Sequence, residues 1–153
     1  MLMSLMSSEQ RQRFAHDLLG AIQYLQGRPE VDGDRIGSVG FCMGGGISAT
    51  LATISPELRA AVIFYGQNPP LERVPNIRAR MLGIYGGEDP RITNAVPEFA
   101  EAMKEARKNL GYHVYPNAPH ALFNDTKPNH RPEEARDAWR RVLAFFDETL
   151  RTI

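Results

Sequence analysis

One cysteine stands in 153 residues, and neither charge sign is in excess, with 18 basic side chains against 18 acidic ones. A single thiol forms no intramolecular disulfide, so cysteine usage gives no sign of an oxidising compartment. The Lys and Arg residues make no run or stripe able to track phosphates, and nucleic acid is not an expected partner. No apolar run approaches the roughly 18 residues that a membrane helix needs, so no membrane partner is expected either. The opening MLMSLMSSEQRQRF is apolar for only a few residues and has no basic leader, unlike a signal peptide. These absences point to a soluble, cytoplasmic chain.

What is present suits one domain over residues 1–153, because 42% hydrophobic content can build a core. There is no internal repeat and no low-complexity tract. Phe14, Leu18, Leu19, Ile22 and Leu25 recur at helical spacing, with Ser7 or Ser8 as cap and Gly27 and Pro29 as stop. Residues 35–41 read as a strand running straight into a small-residue helix that lasts to about Ile54. The continuous apolar run of residues 60–65 reads as a strand covered on both faces. A proline loop follows, then a strand at 80–85, a helix from Val96 to Lys108 and a strand at 112–115. A long helix from Glu133 to Leu150, carrying Trp139, Val142, Phe146 and Leu150, closes the chain. Strands alternating with helices imply an α/β fold with a parallel sheet and right-handed crossovers.

The sharpest local feature is Gly40-Phe41-Cys42-Met43-Gly44-Gly45 at a strand-to-helix junction. It is a G-x-S-x-G nucleophile elbow with Cys in place of Ser. Small residues are expected there because the chain reverses sharply, and side chains at Gly40 and Gly44 are expected to collide across the turn. The elbow sets Cys42 at the positive end of the following helix, which favours thiolate over thiol. The Met43 amide then points at a developing oxyanion. A buried structural cysteine is the competing reading. A phosphate loop is not, since Gly44-Gly45-Gly46-Ile47 lacks the Lys-Ser/Thr of a P-loop. Cys42 has no metal-ligand partner at useful spacing, so no metal site is expected.

Asp89 lies just past a strand end, where parallel sheets place their sites, with Glu88 as its competitor and a helix-capping role as the plainer alternative. His120 sits in the Pro/Asn loop after the next strand, where an imidazole can swing over the elbow. His16, His113 and His130 fall on a helix, in a strand and in a polar loop, and read as structural or solvated. Nucleophile, acid and base occur in that chain order, each just after a strand, which is the order of α/β-hydrolases.

These three motifs, GFCMGG, GEDPRI and YPNAPHALFND, resemble the dienelactone hydrolase (carboxymethylenebutenolidase) family, and the likeness runs from the Phe14 helix to the last helix. It implies a Cys42-Asp89-His120 triad that hydrolyses a small ester or lactone through a thioester, without cofactor. It also implies a truncated α/β-hydrolase fold of about four parallel strands flanked by helices, because the family's N-terminal strands have no counterpart here. That portion of the family fold supplies a second oxyanion donor, much of the substrate pocket and the strand beside the elbow strand. Residues 35–41 are therefore expected to form an open sheet edge, able to pair in a homodimer or other homo-oligomer. The family's prototypes carry a substrate-binding Arg four residues past the His; Asn124 stands there and is the candidate substrate contact. The alternative is a weak or inactive truncated chain that folds by oligomerising or pairing with a partner.

Overall fold

Four apolar segments become the strands of one parallel sheet in the order β1-β2-β3-β4. They are β1 (Ile36–Phe41), β2 (Leu58–Phe64), β3 (Arg80–Gly86) and β4 (Leu110–Tyr115). This is a computed structural model, and it describes residues 7–151. The central strand β2 explains its own sequence: Ala60 to Phe64 are each fully buried, since helices lie over both sheet faces.

The helices are α1 (Ser8–Gln26), α2 (Met43–Ile54), α3 (Pro90–Thr93), α4 (Val96–Glu105) and α5 (Pro132–Phe146). Ser7 caps α1 in a reciprocal capping box with Gln10, satisfying two otherwise free backbone donors. One sheet face carries α1, α2, a 3₁₀ segment (Leu71–Asn76) and α4, each touching the next, so this layer runs from the β1 side to the β4 side. Their shared core joins Ala15 and Ile22 of α1 to Ala49 and Leu51 of α2, and to Phe99 and Met103 of α4. The opposite face carries α5, whose Ala138, Val142 and Phe145 pack on Val62, Phe64 and Ile84.

Four local expectations are corrected. The buried stripe of α1 is Arg11, Ala15 and Ile22, while Phe14, Leu18 and Leu25 are partly exposed at 48%, 38% and 37%. On α5, Trp139 likewise faces solvent, and the helix gives way at Asp147 to a wider π turn (Asp147–Arg151). The proline loop holds the 3₁₀ turn around Pro75, and Pro90 starts the short α3, because proline's fixed φ suits a first helical turn. The helix from Val96 ends at Glu105 rather than Lys108, with Arg107 turning left-handed at φ 56°.

The sheet edge at β1 is open among the described residues, as the family likeness implied. Val39 and Phe41 expose 40% and 37% of their surface there.

Candidate active site

The turn from β1 into α2 sets the site. Cys42 has φ 56°, a conformation that costs a non-glycine residue about 1–3 kcal/mol and persists only where the surroundings enforce it. Enforcement comes from the Cys42 amide, which donates to Phe64 O at 2.9 Å, and from the Gly45 and Gly46 amides, which return to Cys42 O. A Cβ at Gly40 would lie 1.9 Å from Gly44 O, and one at Gly45 would lie 2.8 Å from Phe64 O. Gly44 itself has open space where its Cβ would stand. The expected collision therefore falls on Gly40 and Gly45, and Gly44 is not sterically required. Gly66 completes the packing, since a side chain there would meet the Gly45 and Gly46 backbone at about 2.5 Å.

Two further loops converge on the sulfur. The Gly86-Gly87 turn after β3 lets the loop after β4 approach within backbone contact: a Cβ at Gly86 would meet Ala118 O at 2.4 Å, and one at Gly87 would meet Pro116 O at 2.6 Å. Gly87 N donates to Tyr115 O and Glu88 N to Ala118 O, so the two loops are fastened together. Asp89 is buried while Glu88 faces solvent. The Asp89 side chain caps no helix, although it precedes α3. It instead accepts a hydrogen bond from His120 Nδ1 at 2.6 Å.

The other ring nitrogen, Nε2, lies 3.1 Å from Cys42 Sγ. One imidazole thus joins the residues singled out after β1, β3 and β4. Asn129 donates to His120 O at 2.8 Å, and Ala121 turns left-handed at φ 62°, which fixes the loop behind the ring. The remaining histidines stand apart from it: His16 is exposed on α1, His113 packs edge-on against Tyr115, and His130 Nδ1 lies 3.1 Å from Leu122 O.

The electrostatics follow this geometry. The hydrogen bond from His120 pulls the Cys42 thiol below its ordinary range; burial opposes this, while the imidazole charge, the Met43 amide and the Arg91 charge assist. His120 is pushed up to about 9, first by Asp89 and next by Cys42, against burial. Both shifts favour a thiolate–imidazolium pair. With Nε2 protonated, the ring donates to both partners, and Nδ1–H points at the carboxylate.

Two residues near the sulfur carry no sequence signal of their own. Tyr65 follows β2 with φ 38°, is buried, and sets its ring edge-on to His120 with centroids 5.0 Å apart. Its phenol is pushed up to about 12 by burial and by the charge of Cys42. Arg91, on α3, adds positive potential. Asn124 is held within its own loop, its Oδ1 accepting from Thr126 N at 3.0 Å and Thr126 Oγ1 at 2.6 Å.

A parallel sheet with an elbow after one strand and loops converging from the next ones defines an α/β-hydrolase fold, and solved structures agree. A structure titled "Putative Dienelactone Hydrolase", from Klebsiella pneumoniae, superposes with TM-score 0.81 at 31% identity, covering 91% of this chain and 61% of that one. MGS-M1, an α/β hydrolase from a deep-sea metagenome library, shares the fold with TM-score 0.76 at 18% identity, covering 90% of this chain and 65% of that one. The chain belongs to the dienelactone hydrolase family, whose model matches residues 1–150. A protein of Saccharolobus solfataricus named "Putative carboxymethylenebutenolidase" is 45% identical over 113 residues, covering 73% of this chain and 44% of that protein. A protein of the same name from Methylorubrum extorquens is 34% identical over 141 residues, covering 85% of this chain and 48% of its own length. The chain thus spans about half the length of these relatives.

Proposed function

We propose that this chain is a cysteine-dependent hydrolase of small esters or lactones. Cys42 is the nucleophile, His120 the base, Asp89 the acid that orients the imidazole, and the Met43 amide an oxyanion donor. The observation that carries this is one imidazole hydrogen-bonded at 2.6 Å to a buried carboxylate and at 3.1 Å to a thiol on a strained elbow.

The thiolate attacks the ester carbonyl carbon, a C–S bond forms, and the carbonyl electron pair moves to oxygen, where the Met43 N–H donates to it. Collapse of this intermediate expels the alkoxide, which takes the proton from His120 Nε2 and leaves a thioester on Cys42. The neutral imidazole next removes a proton from water, and the hydroxide adds to the thioester. Cys42 departs as thiolate, the acid is released, and the imidazolium is restored. Throughout, the Asp89 carboxylate holds Nδ1–H and so keeps Nε2 aimed at the reacting atoms. Family membership supports this chemistry, and the relatives named carboxymethylenebutenolidase support a lactone or ester as the substrate class.

The test is turnover of p-nitrophenyl acetate. Wild-type chain should release nitrophenol above the uncatalysed rate, and Cys42→Ala should fall to that background. Unchanged turnover in the variant would remove the nucleophile assignment.

A further inference from the structure

We infer that Tyr65 is a positioning residue, which holds the His120 imidazole and the loop that carries it in register with the thiol on the elbow. The inference rests on the reading of Cys42 and His120 as a working pair, and it adds the part that keeps the two aimed at each other.

One hydrogen bond does not fix an imidazole. The Asp89 contact anchors Nδ1 at 2.6 Å, and the ring is still free to pivot about that bond. Nε2 has to serve the sulfur, the leaving alkoxide and the attacking water in turn, so a displacement of about 1 Å costs rate. The contact that closes this freedom comes from the end of β2. There the Tyr65 ring packs against His120 with the planes at 64° and the centroids 5.0 Å apart. The backbone amide of Phe123, in the same loop as His120, donates to the Tyr65 oxygen. Phe64 adds a ring contact to Phe123, with centroids 5.1 Å apart.

Tyr65 is itself tightly held. It is buried at φ 38°, a left-handed conformation that a bulky side chain rarely adopts. Its amide donates to Ile84 O at 2.7 Å, and Asn68 Nδ2, further along the turn, donates to Ala95 O at 2.7 Å. Between them Gly66 lies against the backbone of Gly45 and Gly46. The carbonyl just before Tyr65, Phe64 O, is the acceptor for the Cys42 amide. Adjacent residues at one strand end thus serve both partners: Phe64 fixes the elbow and Tyr65 the imidazole. Strained backbone persists only where its surroundings enforce it, and it gathers at working sites. The phenol, pushed up to about 12, stays protonated, so Tyr65 acts by contact and not by charge. The charged groups that act on the pair from other elements are Asp89 and Arg91, and replacing Tyr65 leaves both in place.

Alkylation of the single cysteine by iodoacetamide, followed against pH, reads the pair without any ester turnover. Wild-type chain should show a midpoint below the ordinary thiol value of about 8.5, and His120→Ala should return it there. Tyr65→Leu removes ring and oxygen together. It should raise the midpoint toward that of His120→Ala and slow alkylation below both midpoints about tenfold, with the plateau rate at high pH unchanged. Tyr65→Phe keeps the ring and loses the oxygen, and should slow it about threefold, the scale of one neutral hydrogen bond. A wild-type midpoint no lower than that of His120→Ala would overturn the pairing of Cys42 with His120, and the inference with it. A lowered wild-type midpoint that folded Tyr65→Leu leaves in place, or an effect of that variant on the plateau alone, would overturn only the inference. If Tyr65→Leu does not fold, an unmoved Tyr65→Phe, which preserves the packed volume, does the same.

Discussion

At the scale of single residues the account turns on a proton shared among three side chains. Asp89 is the largest cause of the raised basicity of His120, and His120 is the largest cause of the lowered thiol. A depressed thiol supplies thiolate below its ordinary range, so kcat/KM should rise through that lowered value as pH increases. The imidazolium must still hold the proton that the leaving alkoxide takes, so the rate should fall again as pH passes about 9. Asp89→Asn removes the main support for that proton. The alkaline limb should then move down toward the ordinary histidine value of about 6.5. The rate at neutral pH should drop by a factor on the order of 10⁴, as loss of the orienting carboxylate does in a Ser-His-Asp triad. A pH profile of p-nitrophenyl ester hydrolysis reads both effects, and an unmoved alkaline limb would detach Asp89 from the imidazole.

At the scale of elements, the turn between β1 and α2 separates glycines that matter from one that does not. Gly40→Ala forces a methyl to within 1.9 Å of backbone oxygen and should destabilise by at least about 3 kcal/mol. Gly44→Ala meets open space at a helical backbone and should be neutral or stabilise by about 0.5 kcal/mol, through the chain entropy that alanine removes. Thermal melts of the two variants check this pair. The pattern G-x-C-x-G marked the elbow correctly but not which glycine bears the contact, because that depends on how β2 and the loop at Gly66 press on the helix start. Helix α1 gives a similar lesson. Its extent and a cap at Ser7 or Ser8 are local properties and were readable, with Ser7 taking the role, whereas its buried face depends on where α2 lies. Leu19 packs on the core and Phe14 does not, although both share the helical period. The short α3 and the 3₁₀ turn escaped notice because proline marks a break in the pattern without saying that one helical turn follows it.

At the scale of the whole molecule, the parallel sheet and the three converging loops were legible because alternating apolar strands and amphipathic helices leave few topologies with right-handed crossovers. Cys42, Asp89 and His120 were legible for a related reason: each follows a strand end, and parallel strands deliver such loops to one edge of the sheet. Tyr65 and Arg91 were not. Nothing local distinguishes a tyrosine ending an apolar strand from any core aromatic, and only the assembled sheet brings its ring against His120. Among the described residues the exposure of Val39 and Phe41 at β1 is likewise a property of the assembled sheet, in which β1 pairs with β2 alone.

The most direct measurement is intact-protein mass spectrometry, with peptide mapping, of chain quenched in acid moments after mixing with p-nitrophenyl acetate. The account expects one acetyl group per chain, carried on the sulfur of Cys42 and lost as the thioester hydrolyses. Release of nitrophenol with that sulfur unmodified at every time, or with the acetyl group on another side chain, would contradict it.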